Sequence, residues 1–478
     1  MRRIIFLKNS LATETLNRNY DPAFYRMRTF LDVRDSFLEG SDSPRAYLER
    51  CLECIDSREP QVKAWVVLNL ENARQAADES GKRYRQGKPL SVIDGMPLGI
   101  KDVLQTRDMP TELGSPIFKG RETNLDTASV NALRLAGGVI LGKTVTTEFA
   151  FVKPGPTTNP FDPQATPGGS SSGTSAAVGA GMIPAGLGNQ VVGSVIRPAS
   201  YCGNFAIKPT IGALHNGEGL SLSQLHLGVH AASLPDMWAV AYQIANRAGS
   251  DPGYPGLYGP EKICDPQKPR RLIVLKTEGW DDCDEKTKGA FLELLESLKA
   301  QGVELIHRSD DKSVEHFETS ILGSVILCRI ICSYEMRWLL RNYQATGLLS
   351  EDLKHWLDLA EEMSLQDYRE ALQKRDEMRK ALQALSPLAE GLITLSSPGP
   401  APSLGHLVDS GEPEFAYKTG NPSFNAATSA LGLPCITLPL LGIDGMPSGN
   451  QLMGQHHTDW NLTGYASWMM QTLKPIVA

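Results

Sequence analysis

The apolar positions of this chain follow different periods in different stretches. In Asp284 to Ala300 the apolar residues Phe291, Leu292, Leu295 and Leu298 form one face, which predicts an amphipathic helix. Glu71 to Gln86 predicts another, after a short strand from Trp65 to Leu70. Ser43-Pro44 supplies an N-cap and a first-turn proline for a helix over Arg45 to Ile55. From about residue 90 to 250, short apolar strands such as Val139-Ile140-Leu141 alternate with helices such as Thr127 to Ala136, and glycine, serine and proline become dense. Arg271 to Leu275 reads as a further strand. Residues 312–390 read as nearly all helix, with charged faces and few glycines. Strand-like runs return at Leu392 to Leu395 and Cys435 to Leu438.

Strands alternating with helices put the chain in the α/β class, with a sheet covered by helices on both faces. Four stretches follow: an N-terminal helical segment packing on the core (1–90), a core (91–270), a mainly helical insertion or cap (271–395), and a C-terminal return to the α/β core (396–478). The insertion is either a lid or a scaffold. The length of 478 residues suits three domains of ~150 residues or one large α/β domain.

Composition narrows the function classes. Hydrophobic residues are 41% and charged residues 21%, ordinary for a globular protein, which excludes a disordered or fibrous chain. With 47 basic and 54 acidic residues the net charge is −7, which argues against a general nucleic-acid binder. The eight scattered cysteines read as reduced thiols of a cytoplasmic protein, mostly small apolar core residues. Near the N-terminus the apolar run is only Ile4 to Leu7, too short for a signal peptide. Ile321 to Cys332 is interrupted by Ser324 and Arg329 and reads as a buried helix, so no membrane association is expected.

The unusual residues are concentrated in three small-residue stretches. They are 95–102 (GMPLGIKD), 166–175 (TPGGSSSGTS) and 186–200 (GLGNQVVGSVIRPAS). A flexible linker fits poorly, because the serine run leads into a predicted helix from Ser175 to Gly181 inside the α/β core. A phosphate loop fits poorly too: the G-x-x-x-x-G-K-[ST] pattern is absent, and no G-x-G-x-x-G follows a predicted strand here.

Together these stretches resemble the amidase signature family of serine hydrolases. The resemblance is carried by GMPLGIKD (95–102), NPFDPQATPGGSSSG (159–173), GSVIRPASYCGNFAIKPT (193–210) and TGNPSFNAATSALGLPCITLPL (419–440). It implies a single large fold with a central mixed sheet. It also implies a catalytic triad, with Ser194 as nucleophile, Ser170 as bridging serine after a cis Gly169–Ser170 peptide, and Lys101 as general base. The implied oxyanion donors are the backbone amides of Val191, Val192 and Gly193. A serine hydroxyl needs an adjacent base, and a lysine serves only if desolvation or nearby positive charge lowers its pKa. The apolar neighbours Met96, Leu98 and Ile100 are consistent with a buried lysine.

The activity implied is hydrolysis of a carboxamide-type C–N bond other than a peptide bond, through an acyl-enzyme. Aryl amides, carbamates and ureas stay open as substrates. No cofactor and no metal is implied. The partner expected is a small-molecule amide-type substrate, without nucleic acid or membrane; a homodimer is allowed. Two alternatives remain: the A subunit of a tRNA-dependent amidotransferase, and a non-catalytic binding protein on the same fold.

The chain departs from the family pattern near the nucleophile. Many members have Thr-Asp shortly before it and an arginine two residues after it. Here those positions hold Asn189-Gln190 and Ile196, and the arginine is Arg197. This form resembles a bacterial branch with glutamine at the Gln190 position. Other candidates carry less. Cys51 and Cys54 lack a second pair for zinc, and His456-His457 lacks an accompanying H-E-x-x-H motif. Cys202 reads as packing, Phe149 and Phe151 as substrate contacts, and the helices around 321–340 as either core or a hydrophobic channel.

Overall fold

The computed structural model describes residues 19–151, 153–217, 219, 222–404 and 418–478. The strands are β1 (Trp65–Leu68), β2 (Pro97–Lys101), β3 (Val139–Thr144), β4 (Ala185–Gln190), β5 (Phe205–Lys208) and β6 (His226–Ala231). They continue as β7 (Arg271–Val274), β8 (Glu304–Ile306), β9 (Gly391–Leu395), β10 (Cys435–Ile443), β11 (Met446–Met453) and β12 (Ile476–Val477). Among the described residues these twelve strands form one sheet, ordered β1-β3-β2-β4-β6-β5-β10-β11-β9-β7-β8, with β12 beside β10. The sheet is mixed: β2 runs parallel to both β3 and β4, whereas β4–β6, β5–β6 and β5–β10 are antiparallel.

Every residue of β2, β3, β4 and β10 is buried. Side chains alternate between the two faces of a strand, so both faces of the sheet are covered. The helices that matter for the site are α1 (Ser172–Gly179), α2 (Ile196–Cys202), α3 (Glu285–Ala300), α4 (Lys312–Ser320), α5 (Ser324–Gln344), α6 (Glu351–Glu362), α7 (Leu365–Ala384) and α8 (Ala426–Leu431). A Cβ at Gly173 would sit 2.3 Å from Ala64 O and Val145 N, so only glycine lets α1 approach this backbone so closely.

The local expectations hold with shifts at their ends. Ser43 accepts a hydrogen bond from Ala46 N and caps a helix that runs on to Val62. The first strand ends at Leu68, and the helix after it spans Leu70–Arg85. The helix after the serine run begins at Ser172, three residues earlier than predicted. In α3, Leu292 is not on the core face: it is 50% exposed, and Leu294 is buried in its stead beside Phe291, Leu295 and Leu298. The stretch 271–395 supplies β7, β8 and β9 to the sheet as well as α3 to α7. A second core joins α4, α5 and α7 to α8 through Phe317, Cys328, Ile331, Met378, Leu382 and Leu431. Among the described residues no single helix is long and apolar enough to cross a membrane.

Candidate active site

Lys101 is the last residue of β2 and is completely buried. Its parallel neighbours β3 and β4 flank it, and β4 ends at Gln190, next to Asn189. Lys101 Nζ lies 2.7 Å from Ser170 Oγ, 2.5 Å from Asn189 Oδ1 and 3.3 Å from Asn189 O. Burial drives its pKa well below the ordinary lysine value, because desolvation penalises the ammonium form. Two buried histidines stand in the same region of the sheet. Burial, and then the Lys101 charge, pull His230 down to about 3; burial and then the Lys208 charge also hold His226 well below the usual imidazole value.

Ser170 follows Gly169 through a cis peptide bond. The loop carrying it meets the loop between β4 and α2, where Ser171 N donates to Ser194 O at 3.4 Å. Arg197, on the first turn of α2, ties both to a third segment. Its guanidinium donates to Gly169 O at 2.9 Å, to Thr419 O at 2.9 Å and to Thr419 Oγ1 at 3.1 Å. The arginine one position beyond the usual place therefore holds the carbonyl just before the bridging serine.

A cavity of about 520 Å³ opens over these loops. Ser170, Asn189, Val191, Val192, Gly193, Ser194 and Arg197 line one end of it. The amides of residues 191–194 make no backbone or side-chain hydrogen bond among the described residues. A buried or half-buried N–H without an internal partner is a donor available to a ligand.

The helical stretch supplies the opposite wall. Val325, Cys328, Arg329 and Cys332 line the cavity from one stripe of α5, and Glu351, Asp352, His355 and Trp356 from α6. Phe149 and Phe151, expected as substrate contacts, both line the cavity and also anchor this wall. The Phe149 ring packs 5.7 Å from Tyr343 of α5, and Phe151 meets Trp356 edge to face at 4.8 Å. Lys418 Nζ pairs with Asp352 at 2.5 Å, linking the rim to α6.

Sequence reasoning missed Asn189 as a lysine partner, and it missed Trp356 and Lys418 in the wall. The Val325, Cys328, Arg329 and Cys332 spacing (i, i+3, i+4, i+7) was visible, but a cavity-facing stripe and a core-facing stripe have the same period. The remaining candidates lie elsewhere. Cys51 is buried, and Cys54 Sγ donates to Ala180 O at 3.6 Å. Cys202 is buried against Pro167 O, and the His456 ring bonds Leu431 O. Among the described residues no group of three or more His, Cys, Asp or Glu is arranged to hold a metal.

Comparison with known proteins gives the family and the fold. The family model described as Amidase matches residues 46–462. The A subunit of glutamyl-tRNA(Gln) amidotransferase from Chloroflexus aggregans (strain MD-66 / DSM 9485) is 38% identical over 206 residues, 42% of this chain and 41% of that protein. The match thus spans less than half of that relative's length. The protein of the same name from Synechococcus sp. (strain WH7803) is 28% identical over 465 residues, 88% of this chain and 92% of that one. Among solved structures, one described as the crystal structure of an amidase is 25% identical with a TM-score of 0.79, covering 93% of this chain and all of that one. The 6-aminohexanoate cyclic dimer hydrolase shares the fold at 21% identity and a TM-score of 0.79, over 96% of this chain and 99% of its own.

One expectation is overturned by these relatives. A small-molecule substrate with no nucleic-acid partner does not accord with proteins named for glutamyl-tRNA(Gln) and for being one subunit of a larger enzyme. The physical reason is that net charge averages over the whole surface. A value of −7 excludes neither a local contact with RNA nor a companion protein that carries it.

Proposed function

The chain belongs to the amidase family, and on that premise we propose that it cleaves the C–N bond of a carboxamide through Ser194, Ser170 and Lys101. The observation that carries this reading is the 2.7 Å contact between a desolvated Lys101 Nζ and Ser170 Oγ, with Ser170 and Ser194 lining one cavity. Neutral Lys101 draws the proton from Ser194 Oγ through Ser170 as the oxygen attacks the carbonyl carbon. The amides of Val191, Val192 and Gly193 receive the negative charge that develops on the carbonyl oxygen. Collapse of the tetrahedral adduct breaks the C–N bond, and the proton held by Lys101 returns through Ser170 to the leaving nitrogen. Water, deprotonated along the same path, then attacks the Ser194 ester and frees the acid and the serine. The bond we assign is a C–N bond other than a peptide bond, with aryl amides, carbamates and ureas as candidate forms. The eight unpaired cysteines fit a reducing compartment, and we assign the protein to the cytoplasm on that ground.

A second reading is favoured by the names of the relatives: the chain is the A subunit of a tRNA-dependent amidotransferase, its cavity releasing ammonia for use elsewhere in a complex. One experiment separates the two. Amine or ammonia release is followed from glutamine and from a panel of aryl amides, carbamates and ureas, using the isolated chain and Ser194→Ala. Turnover of a panel member that disappears in Ser194→Ala supports the hydrolase. Glutamine turnover that requires copurified partner proteins supports the transferase. Turnover unchanged in Ser194→Ala would remove the triad from both.

A further inference from the structure

The peptides just before Ser194 are held from behind. Gln190 is fully buried at the end of β4, and its side-chain amide is saturated. Its Oε1 accepts from Val195 N at 2.8 Å and Ile196 N at 3.0 Å, the start of α2. Its Nε2 donates to Ser429 Oγ at 2.9 Å and to Val192 O at 3.3 Å. Ser429 Oγ, on α8, in turn donates to Val192 O at 2.6 Å. One peptide earlier, Gln224 Nε2 donates to Val191 O at 3.2 Å and contacts Cys332 Sγ of α5 at 3.2 Å.

The direction of these contacts matters. Gln190, Gln224 and Ser429 are not among the cavity-lining residues, whereas Val191, Val192 and Gly193 are. The only cis peptide among the described residues is Gly169–Ser170, so the 191–192 and 192–193 peptides are trans. In a trans peptide the N–H points opposite to the C=O. Pulling the Val191 and Val192 carbonyls back into the protein therefore turns the Val192 and Gly193 N–H groups toward the cavity. With Val192 O and Ser429 Oγ placed as they are here, a glutamate at 190 could still accept from Val195 and Ile196, but its second oxygen would oppose the Val192 carbonyl.

We propose that Gln190, Ser429 and Gln224 are positioning residues that aim the Val192 and Gly193 amides at the oxyanion by holding the two carbonyls behind them. The inference rests on the hydrolase reading above and extends it to residues that touch no reacting atom. The contact of Gln224 with Cys332 also joins the oxyanion loop to the helical wall.

The test needs no knowledge of the natural substrate. An alkyl fluorophosphonate is attacked by an activated serine, and its phosphoryl oxygen takes the oxyanion's place. The rate of Ser194 labelling is measured for the full chain and for Ser429→Ala, Ser429→Thr, Gln190→Glu, Gln224→Leu and Ser194→Ala, with the pH midpoint of labelling and the thermal midpoint alongside. We expect labelling to fall by about 10- to 100-fold in Ser429→Ala and Gln190→Glu, on the scale of a misdirected oxyanion donor. Ser429→Thr should restore it, and the pH midpoint should stay put because Lys101 is untouched. Labelling of folded Ser429→Ala within twofold of wild type, with Ser194→Ala unlabelled, would overturn the inference and leave the hydrolase reading standing. Equal labelling of Ser194→Ala would overturn the hydrolase reading, and the inference with it.

Discussion

Lys101 and Lys143 stand on adjacent parallel strands, both completely buried, and only one of them has a carboxylate. Lys143 Nζ pairs with Asp102 Oδ1 at 3.1 Å. Lys101 Nζ has Ser170 Oγ and the Asn189 oxygens instead, and no carboxylate within ion-pair distance among the described residues. A buried ammonium is stabilised by an opposite charge and penalised without one. The sheet thus keeps one lysine as part of an ion pair and holds the other ready to be neutral. That difference is what a general base requires, and it is set by two neighbouring side chains rather than by the lysines themselves.

Lys101→Met should lower amide hydrolysis by about 10²- to 10⁴-fold, the usual range for losing a general base. It should also change how stability depends on pH. The folded-state pKa of Lys101 lies below 10.5, so between those values the unfolded chain binds more protons than the folded one. Wild-type stability therefore gains as pH rises through that window and loses as pH falls through it. The difference in unfolding free energy, wild type minus Lys101→Met, should increase from pH 7 to pH 10. Denaturant titrations at both pH values check this, and a constant difference would contradict a depressed lysine.

The pH profile of kcat/KM should rise with pH along one limb that belongs to Lys101. In the proposed mechanism neutral Lys101 is the active form, so the limb should lie below the ordinary lysine value of 10.5. The neighbouring imidazoles do not supply it: His230 is already neutral above about 3, and His226 is held well below its usual value. Initial rates at subsaturating substrate from pH 5 to pH 10 read the limb directly. A profile flat over that range would count against a titrating base.

Arg197→Met would leave Gly169 O and Thr419 O without the guanidinium that now donates to them at 2.9 Å each. A buried carbonyl left unsatisfied costs about 1–3 kcal/mol. The variant should be destabilised by that order for each carbonyl in urea titrations. Its kcat should fall as well, because the peptide before Ser170 loses its anchor. Arg197→Lys should recover only part of both, since one ammonium does not reproduce a planar fork bonding three acceptors.

Phe151 and Trp356 join the serine-side loops to the helical wall through one edge-to-face contact with centroids 4.8 Å apart. Such a pair contributes about 0.5–1.5 kcal/mol beyond its buried area. A double-mutant cycle with Phe151→Leu and Trp356→Leu should return a coupling of that size in unfolding free energy. Zero coupling would mean that this ring contact adds nothing to the packing that holds the wall in place.

Short-range information settled much of this protein in advance. The period of apolar residues was enough for the α/β class and most elements, and Ser43-Pro44 was enough for a helix start, because caps and amphipathic faces are local. The small-residue stretches located the strand end that carries Lys101 and the loops that carry Ser170 and Ser194. The helix face was misread at Leu292, where the periodicity allowed either Leu292 or Leu294 inside and packing chose Leu294.

Tertiary structure decided what depends on distant segments meeting. Residues 190, 192, 224 and 429 converge behind the loop that precedes Ser194, across 239 positions of chain between Gln190 and Ser429. The α5 stripe faces a cavity because α6 and Phe151 close over it, and no local pattern distinguishes that from burial in a core. Among the described residues, the absence of a carboxylate within ion-pair distance of Lys101 is likewise a property of its neighbours in space. A lysine's identity is written in the chain, but its charge state is set by the dielectric and the partners that folding assembles around it.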